Sequence, residues 1–404
     1  MSRVLFLNGG LYSHVVATFP LVKSLTEQGE AVTYFCSEPY RKQIVASGAI
    51  FEPYEVEFHN LSGQGGFNYL TGILNQSIDK LIPRVLNYAQ SHHIDYIIHD
   101  SIFGCGKLLG ELLGLPRVTS ITTLISETLI PEFKSSFAIN SKEDYQNIRN
   151  YLNITKKLYH KYNLYFGPIT NLGYSTGSLN IVYTSSYFQP DSDRLSNAFV
   201  FVGPIIYERN DNLGEICFER FANQKVIYIS LGTVYNTDLQ LFQFFIDVFQ
   251  NYEGFIIISV GYHFDISMLK NIPANIIIKK FVPQLDVLKR ADLFITHGGM
   301  NSVQEAMYFS VPLIVIPQDA DQPLVANRVK ELGAGIYLSK SLLTGEKLMQ
   351  AVTEIFTNLH YKSNAERISN SYQESGGIAK AVAAIGKWKH EQMIGNFTEK
   401  FLGV

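Results

Sequence analysis

Two stretches of this sequence hold residue types that could do chemistry together. The denser one runs through Phe281-Val-Pro-Gln-Leu-Asp-Val-Leu288, Thr296-His-Gly-Gly-Met-Asn-Ser-Val-Gln-Glu305 and Val311-Pro-Leu-Ile-Val-Ile-Pro-Gln-Asp-Ala-Asp-Gln322. His297 and two glycines, the second of them Gly299, precede a predicted helix whose first N–H groups lack acceptors within the helix and so suit phosphate oxygens. Glu305 falls one helical turn after Asn301 and Ser302, which lets the three face one ligand. Upstream, Tyr228-Ile-Ser-Leu-Gly-Thr233 sets a glycine and a small hydroxyl at another strand end. The chemistry these residues suit is the binding of a diphosphate with polar partners for an attached sugar. The second stretch pairs His14, after the turn Gly9-Gly10-Leu-Tyr-Ser13, with Asp100 at the end of Tyr96-Ile-Ile-His-Asp. A base held by a carboxylate is one reading of that pair. A structural His14, and an Asp100 that merely caps the next helix, are the others.

These groups need elements to position them. The chain has 404 residues, 46% hydrophobic and 17% charged, with 27 Phe and 24 Tyr, which implies two globular domains with large cores and excludes a disordered chain. A net charge of −3 with no long run of like charge argues against a nucleic-acid partner. Cys36, Cys105 and Cys217 are odd in number and widely spaced, so neither a disulfide framework nor a Cys-rich metal site is expected, and a reducing cytoplasm fits best. The run from Met1 to Asn8 enters Gly-Gly too soon for a signal peptide, and no 18-residue apolar stretch suggests a membrane span.

Short apolar runs alternate with helix-period segments in both halves. Strands are predicted at Val4–Asn8, Ala31–Cys36, Phe51–Tyr54, Tyr96–His99 and Arg117–Ser120, with helices at His14–Gln28, Gly72–Ser91 and Phe103–Leu113. In the second half, strands at Val226–Ser230, Phe255–Val260, Asn275–Lys279, Leu293–Thr296 and Leu313–Ile316 alternate with helices at Leu239–Tyr252, Asp286–Arg290, Ser302–Tyr308 and Pro323–Leu332. This pattern is α/β, two doubly wound Rossmann-like domains facing each other across a cleft, with ligands beyond the carboxyl ends of the strands. The domains are expected at 1–206 and 215–380, with a polar linker at 207–214 and a last helix, 381–404, packing back on the first domain. The aromatic segment Tyr145 to Tyr165 reads either as ordinary helix packing or as the wall of an apolar ligand pocket.

The motifs from Phe281 to Gln322, with His14 and Asp100, resemble the UDP-dependent, GT-B-fold glycosyltransferases of family 1, most closely the soluble bacterial members that glucosylate macrolides and flavonoids. The resemblance spans nearly the whole chain, up to Gly376-Gly-Ile-Ala-Lys380. It implies that Phe281 stacks on uracil, that Val282 bonds the base through its backbone, that Gln284 lies near the nucleoside and that Glu305 holds the ribose hydroxyls. It further implies that His297, Asn301, Ser302 and Thr233 contact the diphosphate, that Asp321 and Gln322 bind the sugar hydroxyls, and that His14 and Asp100 are the catalytic base and its partner. Domain 1–206 then binds the acceptor, and 215–380 binds the nucleotide sugar.

Two positions depart from the family pattern. Phe281 stands where Trp is usual, and Ser13-His-Val-Val-Ala17 lacks the flanking glycine and the Asn-Pro of Gly-His-x-Asn-Pro. Asp191-Ser-Asp193 and Asp319-Ala-Asp321 both spell D-x-D, read here as a turn and as sugar contacts rather than as a metal site. The expected reaction is an inverting transfer of a hexose, most simply glucose, from a UDP-sugar to a small aromatic or macrocyclic acceptor, with no metal or other cofactor. In it, His297 and a helix N-terminus take the place of a metal cation at the leaving diphosphate. The rivals are an epimerase or hydrolase on the same scaffold and a nucleotide-sugar-binding protein without catalysis. A dinucleotide oxidoreductase is disfavoured, because Gly9-Gly10 is not G-x-G-x-x-G.

Overall fold

The computed structural model describes residues 1–54, 66–125, 142–165, 175–207, 216, 218, 224–232, 238–262, 264–319 and 321–402. The chain divides into two units, Met1–Ile205 with Ser375–Val404, and Ile206–Glu374. Apart from Tyr207, the expected linker at 207–214 lies outside the described residues, as does Cys217.

The first unit is built on seven strands: β1 (Arg3–Leu7), β2 (Ala31–Cys36), β3 (Ile50–Pro53), β4 (Tyr96–Asp100), β5 (Arg117–Ile121), β6 (Leu179–Val182) and β7 (Phe199–Phe201). They pair in the order β3-β2-β1-β4-β5-β6-β7, every pair parallel. Parallel strands covered on both faces must be apolar on both, and β1 complies: Val4, Leu5, Phe6 and Leu7 are all buried. Leu5 and Leu7 join Phe35, Ile97, Leu108 and Leu158 in one core, while Phe6 packs on Tyr34 with ring centres 4.3 Å apart. Tyr151, Ile154 and Leu158 of the helix Lys142–Tyr162 supply part of that core, whereas Tyr145 and Tyr159 on its other side are 65% and 55% exposed. Helix packing thus accounts for one face of this aromatic segment.

Two expected helices are interrupted. His14–Gln28 is two helices, Tyr12–Val16 and Phe19–Glu27. Between them the Thr18 hydroxyl donates to the Val15 carbonyl at 2.7 Å and pairs with the Tyr34 hydroxyl at 2.8 Å, and Pro20 sits in the first turn of the second helix, where its missing N–H costs nothing. Gly72–Ser91 is in fact Gly66–Gln76, a π-helical turn Ser77–Leu81 and Ile82–Ser91, the wider turn falling just before Pro83.

The second unit holds β8 (Val226–Ser230), β9 (Phe255–Ser259), β10 (Ile276–Lys279), β11 (Leu293–Thr296), β12 (Leu313–Val315) and β13 (Gly335–Tyr337), ordered β10-β9-β8-β11-β12-β13 and again all parallel. Ile227, Ile229, Ile256, Ile258, Ile295 and Ile314 pack with Phe242, Phe245 and Phe249 of the helix Leu239–Phe249.

After the helix His360–Gln373 the chain rejoins the first unit at Ser375, earlier than the expected boundary after 380. Gly377 N–H already donates to the Val202 carbonyl at 2.9 Å and Lys380 Nζ to the Phe201 carbonyl at 2.8 Å. Along the last helix, Gly377–Leu402, Trp388 Nε1 donates to Ser178 Oγ at 3.1 Å, and Lys389 forms an ion pair with Glu30. Among the described residues no helix is long and apolar enough to cross a membrane.

In each sheet the direction of winding reverses once, between β1 and β4 in the first and between β8 and β11 in the second. The loops beyond the carboxyl ends of those strand pairs diverge and leave room for ligands. His14 and Asp100 follow or end β1 and β4, and Gly232 and His297 follow β8 and β11.

Candidate active site

In the first unit the turn after β1 is tied down by Asn8. Its backbone N–H donates to Tyr54 Oη at 3.0 Å, its Oδ1 accepts from Gly10 N–H at 3.1 Å, and its Nδ2 reaches the His14 carbonyl at 3.3 Å. His14 is thereby held within the short helix Tyr12–Val16 and is 6% exposed. Its Nδ1 lies 3.0 Å from Asp100 Oδ1 and 2.8 Å from Oδ2. Asp100, 1% exposed, also accepts from Ile102 N–H at 3.2 Å. The capping alternative fails, because the next helix starts at Gly104 with Phe103 at its N-cap. A carboxylate only accepts hydrogen bonds, so it draws the ring proton to Nδ1 and leaves the lone pair on Nε2, the arrangement of an imidazole ready to take a proton.

One residue of this cluster was not foreseen from the sequence. Thr122, just beyond β5, places Oγ1 2.8 Å from the same Nδ1. Behind the carboxylate, His99 is fully buried between the Asp100 carbonyl and Thr119 Oγ1, and burial holds its imidazole down at about 4, so it is uncharged near neutrality.

In the second unit His297 follows β11 and is 8% exposed. Burial lowers its imidazole to about 4, and the hydrogen bond to the Ser230 backbone offsets only part of that. His297 is therefore an uncharged ring near neutral pH. Thr296 Oγ1 lies 3.3 Å from Nδ1, which leaves the Nε2 edge to the glycine-lined side of the ring. A side chain at either of two glycines would collide with that Nε2 edge: a Cβ on Gly232 would lie 2.6 Å from Nε2, and one on Gly299 would lie 2.5 Å away. Gly232 also has φ +78°, where an L-residue costs about 1–2 kcal/mol. We expect Gly232→Ala to lower the unfolding free energy by at least that amount. Denaturant titration checks this, and an unchanged midpoint would show that the ring is not confined as described.

Gly299 caps the helix Met300–Tyr308, which carries half-buried Asn301 and Ser302 in its first turn, the turn whose N–H groups find no acceptor within a helix. Glu305, 3% exposed, receives Gln284 Nε2 at 2.6 Å, and Gln284 Oε1 accepts from Tyr228 Oη at 2.9 Å. The structure thus brings Gln284 and Glu305 together and adds Tyr228, a strand residue that alternation alone marks as core. Phe281 is half-buried with its ring centre 6.4 Å from that of exposed Tyr262, and Val282 is buried beside it. Asp321 is the N-cap residue of the helix Gln322–Glu331. Gln322 Oε1 accepts from the Gln318 and Asp319 N–H groups at 2.8 and 3.2 Å, so its carbonyl end shapes this turn. Thr233 lies outside the described residues. Asp191 adopts φ 49° at the start of the 3-10 turn Ser192–Arg194, the turn expected for the first D-x-D. Among the described residues no group of three or more His, Cys, Asp or Glu side chains could hold a metal ion.

A family model, the erythromycin biosynthesis protein CIII-like C-terminal domain, matches residues 245–380. The uncharacterized UDP-glucosyltransferase YojK of Bacillus subtilis is 32% identical, with 95% of this chain and 97% of that protein covered. YdhE of the same organism, also named a UDP-glucosyltransferase, is 35% identical over 93% of this chain and 95% of its own length. Among solved structures, the glycotransferase of kitacinnamycin superposes with a TM-score of 0.84 at 23% identity, covering 96% of this chain and 98% of that one, a likeness of fold.

Proposed function

The chain belongs to the GT-B-fold glycosyltransferases of family 1, and on that premise we propose that it moves glucose from UDP-glucose to a hydroxyl of a small aromatic or macrocyclic acceptor, with inversion. The observation that carries this reading is the His14 Nδ1 contact with the Asp100 carboxylate at 2.8 and 3.0 Å, which leaves Nε2 as a base. His14 takes the acceptor proton as that oxygen attacks the anomeric carbon, and UDP leaves from the opposite face. Asp100 stabilises the imidazolium that forms, and a positioned base of this kind contributes about 10²–10⁴-fold. The UDP-glucosyltransferase names of the Bacillus relatives support UDP-glucose as donor. The relatives named for oleandomycin glycosylation and demethyllactenocin mycarosylation support an apolar natural-product acceptor.

In the donor unit, Glu305 and Gln284 hold the ribose, with Phe281 against the base and the Val282 backbone on its edge. His297, Asn301, Ser302 and Thr233 meet the diphosphate, while Asp321 and Gln322 meet the sugar. Mixing the protein with UDP-glucose, with and without a phenolic acceptor, tests the function. UDP release that requires the acceptor supports transfer. Release without any acceptor would point to the hydrolase reading, and no release with tight UDP binding to a non-catalytic binder.

The developing charge on the diphosphate is met by the first turn of the helix Met300–Tyr308 and by the neutral His297 ring, so no divalent cation is needed. Turnover is expected to survive EDTA unchanged. Loss of turnover in chelator that Mg²⁺ or Mn²⁺ restores would contradict this.

A further inference from the structure

We propose that Thr122 is a positioning residue for His14, its hydroxyl oxygen accepting from Nδ1–H alongside Asp100 so that the ring is aimed from two directions. The inference rests on the reading of His14 as the base. Thr122 is 4% exposed, follows β5 and so stands beside the end of β4, where Asp100 pairs with Ser120 in the sheet. Its Oγ1 is 2.8 Å from Nδ1, as close as either carboxylate oxygen.

A single ring nitrogen offers either one proton or one lone pair. With Asp100 able only to accept, the proton must be on Nδ1, and the Thr122 oxygen then shares it as a second acceptor. One acceptor fixes a point on the ring edge, whereas two on different chain segments fix the direction of the Nδ1–H bond and with it that of the Nε2 lone pair. The second acceptor also favours the imidazolium, whose N–H is the stronger donor. The reverse arrangement, Thr122 donating to a bare Nδ1, would put the proton on Nε2 and a lone pair against the carboxylate.

Other titratable groups near this pair do not obscure a pH measurement. Tyr34 and Cys36 of β2 and Tyr183 beyond β6 feel the charge of Asp100, and burial raises all three. His99, on β4 itself, is held down at about 4 by burial. All four are uncharged near neutrality.

The test is the pH dependence of kcat/KM for an alcoholic acceptor in Thr122→Val, Thr122→Ser and His14→Ala, with UDP affinity and thermal unfolding as controls for the fold. Thr122→Val is expected to lose about 10- to 100-fold in kcat/KM, the range for a hydrogen bond to a charged group, with UDP affinity kept and the acidic limb moved to lower pH. Thr122→Ser, which keeps the hydroxyl, restores both rate and limb. A Thr122→Val protein with an unmoved limb, whatever its rate, would overturn the positioning role, as would a limb moved to higher pH, the mark of a donating hydroxyl. If Thr122→Val fails to unfold like the wild type, Thr122→Ser decides alone: a rate and limb unlike the wild type would overturn the proposal. His14→Ala with near-wild-type transfer would instead remove the base reading itself, a result recognisable without either Thr122 variant.

Discussion

His14→Ala is expected to bind UDP as the wild-type chain does and to transfer glucose to an alcohol at least about 10²-fold more slowly. An alcohol is a poor nucleophile while it keeps its proton, and a neutral imidazole can remove that proton near pH 7. The nucleotide is assigned to the other unit, so its affinity is untouched. Asp100→Asn should lose a comparable fraction, because an amide in place of the carboxylate can present an N–H to Nδ1 and no longer favours the tautomer with a bare Nε2. The double variant should fall little further, since residues that act as one unit are strongly non-additive. Initial rates with an alcoholic acceptor check all three variants. Additive losses would mean that the two residues do not work as a pair. A phenol is the weaker probe, being acidic enough to ionise without help.

The second large effect is expected at Glu305. Its buried carboxylate is held by Gln284 at 2.6 Å, and Gln284 is held in turn by Tyr228 at 2.9 Å, so the side chain is already oriented before a ligand arrives. Hydrogen bonds to a charged group contribute about 1.5–3 kcal/mol, and Glu305→Ala should weaken UDP binding by about 10- to 100-fold. His297→Ala should also weaken it, through loss of the ring seated between Gly232 and Gly299. Calorimetric titration with UDP, with circular dichroism as a check of the fold, decides. Unchanged affinity in both variants would contradict the assignment of the donor site.

Much of this architecture was legible in the sequence, for reasons that particular residues make plain. Val226–Ser230 and Leu293–Thr296 are short apolar runs ended by polar residues, and both are strands with the expected limits. His14, Asp100 and His297 could be singled out because each sits at or beyond the carboxyl end of a strand, where an α/β sheet presents its ligands. What the sequence left hidden is tertiary. Thr122 reaches His14 only because β5 lies beside β4, and nothing in the order of residues says which strands are neighbours. The uncharged state of His297 depends on how deeply the ring is buried, which residue type does not determine. The break between Val16 and Phe19 arises from the contacts of Thr18 with Val15 and Tyr34, which apolar periodicity does not register. Gly335–Tyr337 and Leu179–Val182 escape the pattern although Leu293–Thr296 is hardly longer, because a glycine opens the first and Asn180 interrupts the apolar run of the second.

The central claim is a single displacement driven by one base, and the configuration of the product tests it most directly. UDP-glucose carries an α-linked sugar, and attack from the face opposite the leaving diphosphate inverts the anomeric carbon. The glucoside formed with a simple alcohol or phenol should therefore show the large H1–H2 proton coupling of a β-linkage by NMR from the earliest time points. An α-glucoside as the first product would mean retention, and would rule out the in-line displacement assigned to His14 and Asp100.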